Sequence, residues 1–324
     1  MGGFLNALGQ KLAERWLTLL VLPGALFLAG ATVARTLGQA HALDLGRLTD
    51  RITGWAQTPA TTTAGGQVIL LGAVLATAAA AGLAAQGLGT LIQRTVLAAD
   101  WRTWPGPLRR WAHARVARRR ARWTTAAHHY QRQLDADASA LARTGRRTDP
   151  APRRAAHHAV QRISAEEPDR PTWSGDRIHS TALRLERDQH LDLPLVWPHL
   201  WLVLPDTTRT EITAAEQALT RATTLGGWAL LYAPLTACWW PAAPLTAALA
   251  LTASHRLRTA ADTYARLVEA AARLYTTDLA VQLGIDHTDL AGPATLGDTL
   301  THRLSSRAPR PSGPDATLTG TDSH

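Results

Sequence analysis

The stretch VILLGAVLATAAAAGLAAQGLGTLI, from Val68 to Ile92, decides the fold. It carries no charged residue, and Arg94 ends the run. A helix of about 20 mostly apolar residues is long enough to cross a hydrocarbon core of ~30 Å. We therefore predict a transmembrane helix over residues 67–93.

The centre of this stretch consists of alanine and glycine rather than of large apolar residues. Small residues four positions apart let two helix backbones approach closely in lipid. Alanine and glycine alone bury little surface, so we expect this helix to lie inside a bundle. The predicted helix-packing residues are Ala78, Gly82, Ala85 and Gly89.

Two further apolar runs flank this helix in the sequence. Trp16 to Ala34 is uncharged and predicts a first span, with a cleaved signal peptide as the alternative because Lys11 and Arg15 precede it. Ala222 to Ser254 is also uncharged, which is too long for one helix and short for two. The Trp239-Trp240-Pro241 motif favours a tight hairpin turning at an interface, and a re-entrant hairpin is the alternative.

Together the runs predict an all-α integral membrane helical bundle of about four transmembrane helices, with a helical, arginine-rich cytoplasmic portion. Positive residues concentrate after the second run and after the fourth, so the positive-inside rule places both termini in the cytoplasm and the protein in the plasma membrane. The predicted order is a cytoplasmic N-terminus (1–15), span 1 (16–36), an extracytoplasmic loop (37–66), span 2 (67–93), a basic helical cytoplasmic region (94–219), span 3 (220–238), span 4 (241–256), an amphipathic cytoplasmic helix (257–284), a partly ordered segment (285–304) and a disordered tail (305–324).

The overall charge is strongly positive and comes almost entirely from arginine. The formal net charge is +9, and Lys11 is the only lysine among 34 basic residues. Cys238 is the single cysteine, which excludes an intramolecular disulfide and a multi-cysteine metal site. Composition thus favours an anionic partner without identifying one.

Residues 109–122 contain seven arginines and no acidic residue. Basic residues interleaved with tryptophan, just inside a membrane, are typical of an interfacial segment on anionic lipid. A solvated face that only sets topology is the plainer alternative, and nucleic acid is not an expected partner because no binding motif accompanies the charge. The predicted lipid- or partner-binding residues are Arg109, Arg110, Arg115, Arg118, Arg119, Arg120, Arg122, Trp111 and Trp123.

Local signals also place several helices outside the predicted spans. Pro107 suits a helix start, and Gly145 is a natural stop. The pattern over 175–189 predicts a helix docked by one face, and the broken apolar segment Leu191–Pro205 predicts a core or interfacial element. Apolar residues recur at helical spacing from Leu257, and Gly284 is the predicted stop.

Residues 165–285 resemble an uncharacterised family of multi-pass actinobacterial membrane proteins with about four spans. The resemblance lies in Pro171-Thr172, in Gly175-Asp176, and in the segment Trp197-Pro198-His199-Leu200-Trp201 that precedes Leu204-Pro205. It implies the same architecture and brings no known activity. The chain departs from that pattern at Asp176, where asparagine is expected, and at His199, where arginine is usual.

No catalytic motif is present, and we expect no catalytic residue, cofactor or metal. The two histidine pairs, His128/His129 and His157/His158, each point to different helix faces and make poor metal sites alone. A site would form only if His128, Asp135, His157 and His158 converged.

Three functions remain open on the sequence alone. The leading hypothesis is a non-enzymatic membrane scaffold or regulatory subunit, whose basic cytoplasmic region contacts anionic headgroups or an unidentified acidic protein and whose helices self-associate as a homo-oligomer. The first alternative is an oligomeric transporter or pore component, although no charged residue lies at mid-membrane. The second alternative is a membrane-tethered, metal-dependent enzyme.

Overall fold

The computed structural model describes residues 21–42, 44–56, 63–97, 101–285 and 292–305. Over these ranges the chain is all-α, which confirms the predicted class, and it contains no β-strand. The predicted N-terminus (1–15), the start of the first predicted span (16–20) and the predicted tail (305–324) apart from Ser305 lie outside these ranges. The helices are α1 (Leu22–Leu37), α2 (Leu45–Ala56), α3 (Ala64–Leu97), α4 (Gly106–Thr144), α5 (Ala151–Ile163), α6 (Trp173–Gln189), α7 (Leu193–Val203), α8 (Asp206–Tyr232), α9 (Leu235–Cys238), α10 (Ala242–Gln282) and α11 (Pro293–Leu304).

The chain forms two compact units. The first comprises residues 1–181 and 207–268, and the second comprises residues 182–206 and 269–324. Helices α6 and α10 contribute residues to both units, and α8 contributes its first residue, Asp206, to the second.

Glycine ends two of the long helices, as the sequence predicts. Gly145 follows α4 with φ +67°, and its N–H donates to the carbonyl oxygen of Leu141 at 2.8 Å. Gly284 follows α10 with φ +68°. Because only glycine adopts this left-handed conformation without a steric cost, both stops are readable from sequence.

Two predicted boundaries differ from the structure. Helix α2 lies within the segment 37–66 that was expected to be a loop, and its first turn is capped where the Asp44 carboxylate accepts the N–H of Arg47 at 3.1 Å. Helix α8 begins at Asp206 and ends at Tyr232, so the predicted span 220–238 is not one helix. Pro234 disfavours helical geometry at Ala233 and has no N–H to continue the hydrogen-bond ladder.

Small residues of α3 lie at its contacts with two neighbouring helices. Ala78, Gly82, Ala85 and Gly89 are the buried residues of α3. A Cβ atom on Gly24 of α1 would overlap the Ala78 carbonyl, and one on Gly89 would lie 2.8 Å from the Cα of Thr224 on α8. A Cβ on Gly227 would likewise overlap the carbonyl oxygen of Ala85. The backbones therefore meet directly, and this small-residue face is occupied within the chain.

The large apolar side chains of the same helix point outward. Val68 is 72% exposed, Ile69 is 75% exposed and Leu71 is 61% exposed. Among the described helices, α3 alone has the length and composition to cross a membrane, while α1 and α7 are apolar but shorter. The prediction of about four spans is thus not confirmed by these helices.

The second unit has a core of the opposite kind. Its buried residues are mostly large and aliphatic, and most of them come from α6, α7, α10 and α11. Leu185, Leu191, Val196, Leu200 and Leu300 are each completely buried. The segment Leu191–Pro205, predicted to be a core or interfacial element, thus supplies α7 and much of this core.

We predict that Gly89→Val lowers the melting temperature of the detergent-solubilised protein, because the added side chain meets the α8 backbone. Overpacking of this kind typically costs ~1–3 kcal/mol. The matched control is Gly87→Val on the same helix, where an added Cβ has no neighbour within 4 Å. Equal melting temperatures for the two variants would contradict the close crossing of α3 and α8.

Candidate functional site

Helix α4 carries all seven arginines of the predicted lipid- or partner-binding set. Four of them, Arg115, Arg118, Arg119 and Arg122, have the i, i+3, i+4, i+7 spacing of one helix face. The residues 163–176, which connect α5 to α6 and begin α6, lie against α4. The arginines consequently divide into those that bind this segment and those that do not.

Arg119 forms the centre of the internal contacts. Its guanidinium pairs with the carboxylate of Asp176, and the side chains are 14% and 3% exposed respectively. The same guanidinium donates to the carbonyl oxygens of Arg170 at 2.7 Å and Ile163 at 2.8 Å. The other oxygen of Asp176 accepts the backbone N–H groups of Arg170 at 2.7 Å and Asp169 at 3.0 Å. This ion pair therefore fixes both ends of the 163–176 segment.

Neighbouring side chains on α4 bind the same segment through its carbonyl oxygens. Arg115 donates to Pro171 at 2.7 Å, and the indole N–H of Trp123 donates to Ser164 at 3.2 Å. Arg120 donates to Pro168 at 3.3 Å and pairs with Glu167 at 2.7 Å. Three of the predicted binding arginines, Arg115, Arg119 and Arg120, thus make contacts within the protein.

Burial dominates the electrostatics of the central pair. Burial raises the pKa of the Asp176 carboxyl above its usual range, while Arg119 and the two backbone N–H groups act to lower it. Burial also lowers the pKa of the Arg119 guanidinium; Asp176 opposes this shift, and the positive charges of Arg115 and Arg258 add to it. A charge this well enclosed depends on its partner, because unpaired it would be strongly unfavourable.

The remaining arginines of the set do not bind the 163–176 segment. Arg109, Arg110, Arg118 and Arg122 are exposed, and within the described ranges no carboxylate lies within ion-pair distance of them. Trp111 is 53% exposed, and the guanidinium of Arg115 stacks over its ring at 5.5 Å. This exposed face keeps its full positive charge.

The structure places the histidine pairs on α4 and α5. The ring of His157 lies 5.3 Å from Tyr130 and 6.3 Å from His158. Asp137 is bound by the hydroxyl of Thr148 at 2.6 Å and by Arg153 at 3.5 Å. In the part of the chain that the structure describes, no three histidine, cysteine or acidic residues come together in a metal-binding group.

We predict that Asp176→Ala lowers the free energy of unfolding by about 3–5 kcal/mol, because it leaves Arg119 enclosed without a counter-charge. Asp176→Asn should have a smaller effect, since an amide oxygen still accepts one hydrogen bond. Denaturant unfolding of the detergent-solubilised protein measures both variants.

The control is Asp169→Ala, which removes the exposed pair with Arg102 (2.9 Å, with the arginine side chain 70% exposed). Exposed pairs contribute about 0–1 kcal/mol. A loss for Asp176→Ala no greater than for Asp169→Ala would show that the enclosed pair does not hold the segment.

The resemblance to a membrane-protein family over residues 165–285 stays a prediction. No family model, curated protein or solved structure matches the chain.

Proposed function

We propose that the protein is an integral membrane scaffold or regulatory subunit that crosses the bilayer four times and has no enzymatic activity. Its spans are α1, α3, α8 and the first part of α10. The arginine-rich helix α4 lies at the inner surface of the plasma membrane and engages anionic headgroups or an acidic protein partner.

The packing of α3 is the observation that carries this proposal. In water, a large aliphatic side chain left exposed forgoes roughly 1.5–3 kcal/mol of burial free energy. In lipid that driving force vanishes, and helices associate through small residues instead. Small residues inside and large residues outside therefore support lipid as the solvent of α3. Further exposed apolar residues of the predicted spans are Leu22, Leu26, Leu230, Leu245 and Leu251.

Contacts at the hairpin turn support full crossing over a re-entrant loop. The side chain of Gln39, just beyond α1, donates to the carbonyl oxygens of Thr236 at 3.1 Å and Ala237 at 2.9 Å. It also accepts the N–H of Trp240 at 3.1 Å, and the indole of Trp239 donates to Ala42 at 2.9 Å. The turn after α8 thus reaches the end of α1. If α1 crosses the bilayer, the hairpin crosses it too.

The charge distribution supports an inner-surface position for α4. The cytoplasmic leaflet carries a negative surface potential, and each nearby arginine contributes about 1 kcal/mol of attraction. The exposed arginines of α4 begin with Arg109, only 12 residues after α3 ends at Leu97. A face with this charge fits an anionic surface.

Cys238 provides a test of topology without any mutation, because it is the only cysteine and is exposed at the hairpin turn. We predict that a membrane-impermeant maleimide labels Cys238 on intact cells, since a full crossing places the turn outside. The readout is the mass of the purified protein.

The matched control carries Cys238→Ser together with Ser139→Cys, which moves the thiol to an exposed position on α4. This variant should be labelled only after the cells are lysed. Labelling of Cys238 only after lysis would contradict the fully crossing hairpin.

We also predict that anionic lipid protects α4 from trypsin. In nanodiscs that contain phosphatidylglycerol, cleavage after Arg109, Arg110, Arg118 and Arg122 should slow several-fold relative to phosphatidylcholine nanodiscs, because bound headgroups cover these side chains. Mass spectrometry of the fragments gives the rate at each site.

Cleavage after Arg146 and Arg147 serves as the internal control, since both lie in the exposed segment that follows α4. Their rates should not depend on the lipid. If the cleavage rate at every site were the same in both kinds of nanodisc, the proposed contact of α4 with anionic lipid would be wrong.

A further inference from the structure

The first unit contains a basic cavity of about 490 Å³ beside α4. Ligand pockets typically have volumes of ~300–1,000 Å³. Six arginines line the cavity: four from α4, one from α5 and one from α10, with no acidic residue among the lining side chains. Three separate helices thus direct guanidinium groups to one place.

Most of this charge is not neutralised by the protein. Arg119 pairs with Asp176, whereas Arg118, Arg122, Arg162 and Arg258 have no carboxylate within ion-pair distance in the described ranges. Charges brought this close repel one another. A bound anion would relieve that repulsion.

The chemistry of the lining favours phosphate. The planar guanidinium donates two parallel hydrogen bonds to a pair of phosphate oxygens, which makes arginine the preferred residue for bidentate phosphate recognition. The indole groups of Trp111 and Trp173 add apolar walls beside the charged ones. A group with two negative charges matches several guanidinium groups better than a singly charged phosphodiester does.

The cavity also lies next to the inner ends of two proposed spans. Arg258 follows the predicted end of the fourth span by two residues. The hydroxyl of Thr172, next to Trp173, donates to the carbonyl of Val96 in the last turn of α3. This is the level at which lipid headgroups lie if α3 crosses the bilayer.

We propose that this cavity is a binding site for a phosphomonoester group, presented by a lipid headgroup or by a soluble phosphate compound. The inference rests on the proposed function in one respect only: a phosphate presented by a lipid requires the cavity to lie at the membrane. The binding chemistry itself depends on the six arginines and the cavity.

The test uses the full-length protein in detergent micelles, with binding measured by titration calorimetry. The probes are inorganic phosphate, short-chain phosphatidic acid (a phosphomonoester lipid) and short-chain phosphatidylglycerol (a phosphodiester lipid). Saturable binding of one phosphatidic acid per chain, at least about tenfold tighter than inorganic phosphate, is expected for a lipid site. Equal affinity for phosphatidic acid and inorganic phosphate supports a soluble ligand. Equal affinity for both lipids, or no saturable binding, overturns the proposal.

The variant Arg118→Gln/Arg162→Gln/Arg258→Gln should weaken binding about a hundredfold, at ~1 kcal/mol for each lost charge. The matched control is Arg146→Gln/Arg147→Gln, which removes exposed charge just after the same helix and outside the cavity, and which should change affinity less than about threefold. Equal weakening in both variants would assign binding to general surface charge and overturn the site. If the triple variant does not fold, Arg162→Gln alone replaces it, with a loss of about fivefold expected and an unchanged affinity overturning the site.

Failure of the lipid contact and failure of this site are distinguishable. If trypsin cleavage did not depend on the lipid while phosphate binding in micelles was intact, the proposed membrane contact would be wrong and the proposed phosphate site would stand. Lipid-dependent protection without saturable binding would retain the membrane contact and remove the cavity.

Discussion

The close approach of α3 to its neighbours is the constraint on which the first unit depends. Ala78 meets α1 at Gly24, and Ala85 and Gly89 meet α8 at Gly227 and Thr224. Since these contacts join backbones rather than side chains, they rely on dispersion and leave the large apolar residues facing outward. The second unit follows the opposite rule, with leucine, isoleucine and valine at its centre. One chain therefore contains two kinds of packing, small-residue backbone contacts around α3 and an aliphatic core in the second unit.

The arginines of α4 have two roles that cannot be told apart in the sequence: some bind the 163–176 segment, and others provide exposed charge. The seven arginines look alike as a run of charge, yet Arg115, Arg119 and Arg120 hold the 163–176 segment, while four others remain exposed. The internal contacts position Trp173 and the start of α6. A ligand of the cavity would consequently meet two guanidinium groups, those of Arg115 and Arg119, that internal hydrogen bonds already hold in place. Such preorganisation lowers the entropic cost of binding.

Local signals predicted much of the fold, whereas distant contacts escaped prediction. Gly145 and Gly284 indicated where their helices end, because glycine readily adopts the left-handed conformation that terminates a helix, and this signal needs no distant partner. Asp44 and Pro234 are equally local signals for the start of α2 and the end of α8. They were not used, because residues 37–66 were expected to form a loop and residues 220–238 a single span. The pairing of Arg119 with Asp176 joins residues 57 positions apart, and Gln39 reaches a turn 197 positions away. No sequence periodicity indicates which residues pair over such distances. The sequence therefore could not show which arginines make contacts within the protein.

The hydrogen bonds of Arg119 bear on the composition of the chain. The chain has one lysine, Lys11, and 33 arginines. At most exposed sites this preference for arginine needs no structural cause. At position 119 the side chain donates to a carboxylate and a carbonyl oxygen through Nη1 and to a second carbonyl oxygen through Nη2 of one planar group. The single nitrogen of a lysine does not reproduce that spread of donors. Arginine and lysine are therefore not interchangeable at position 119.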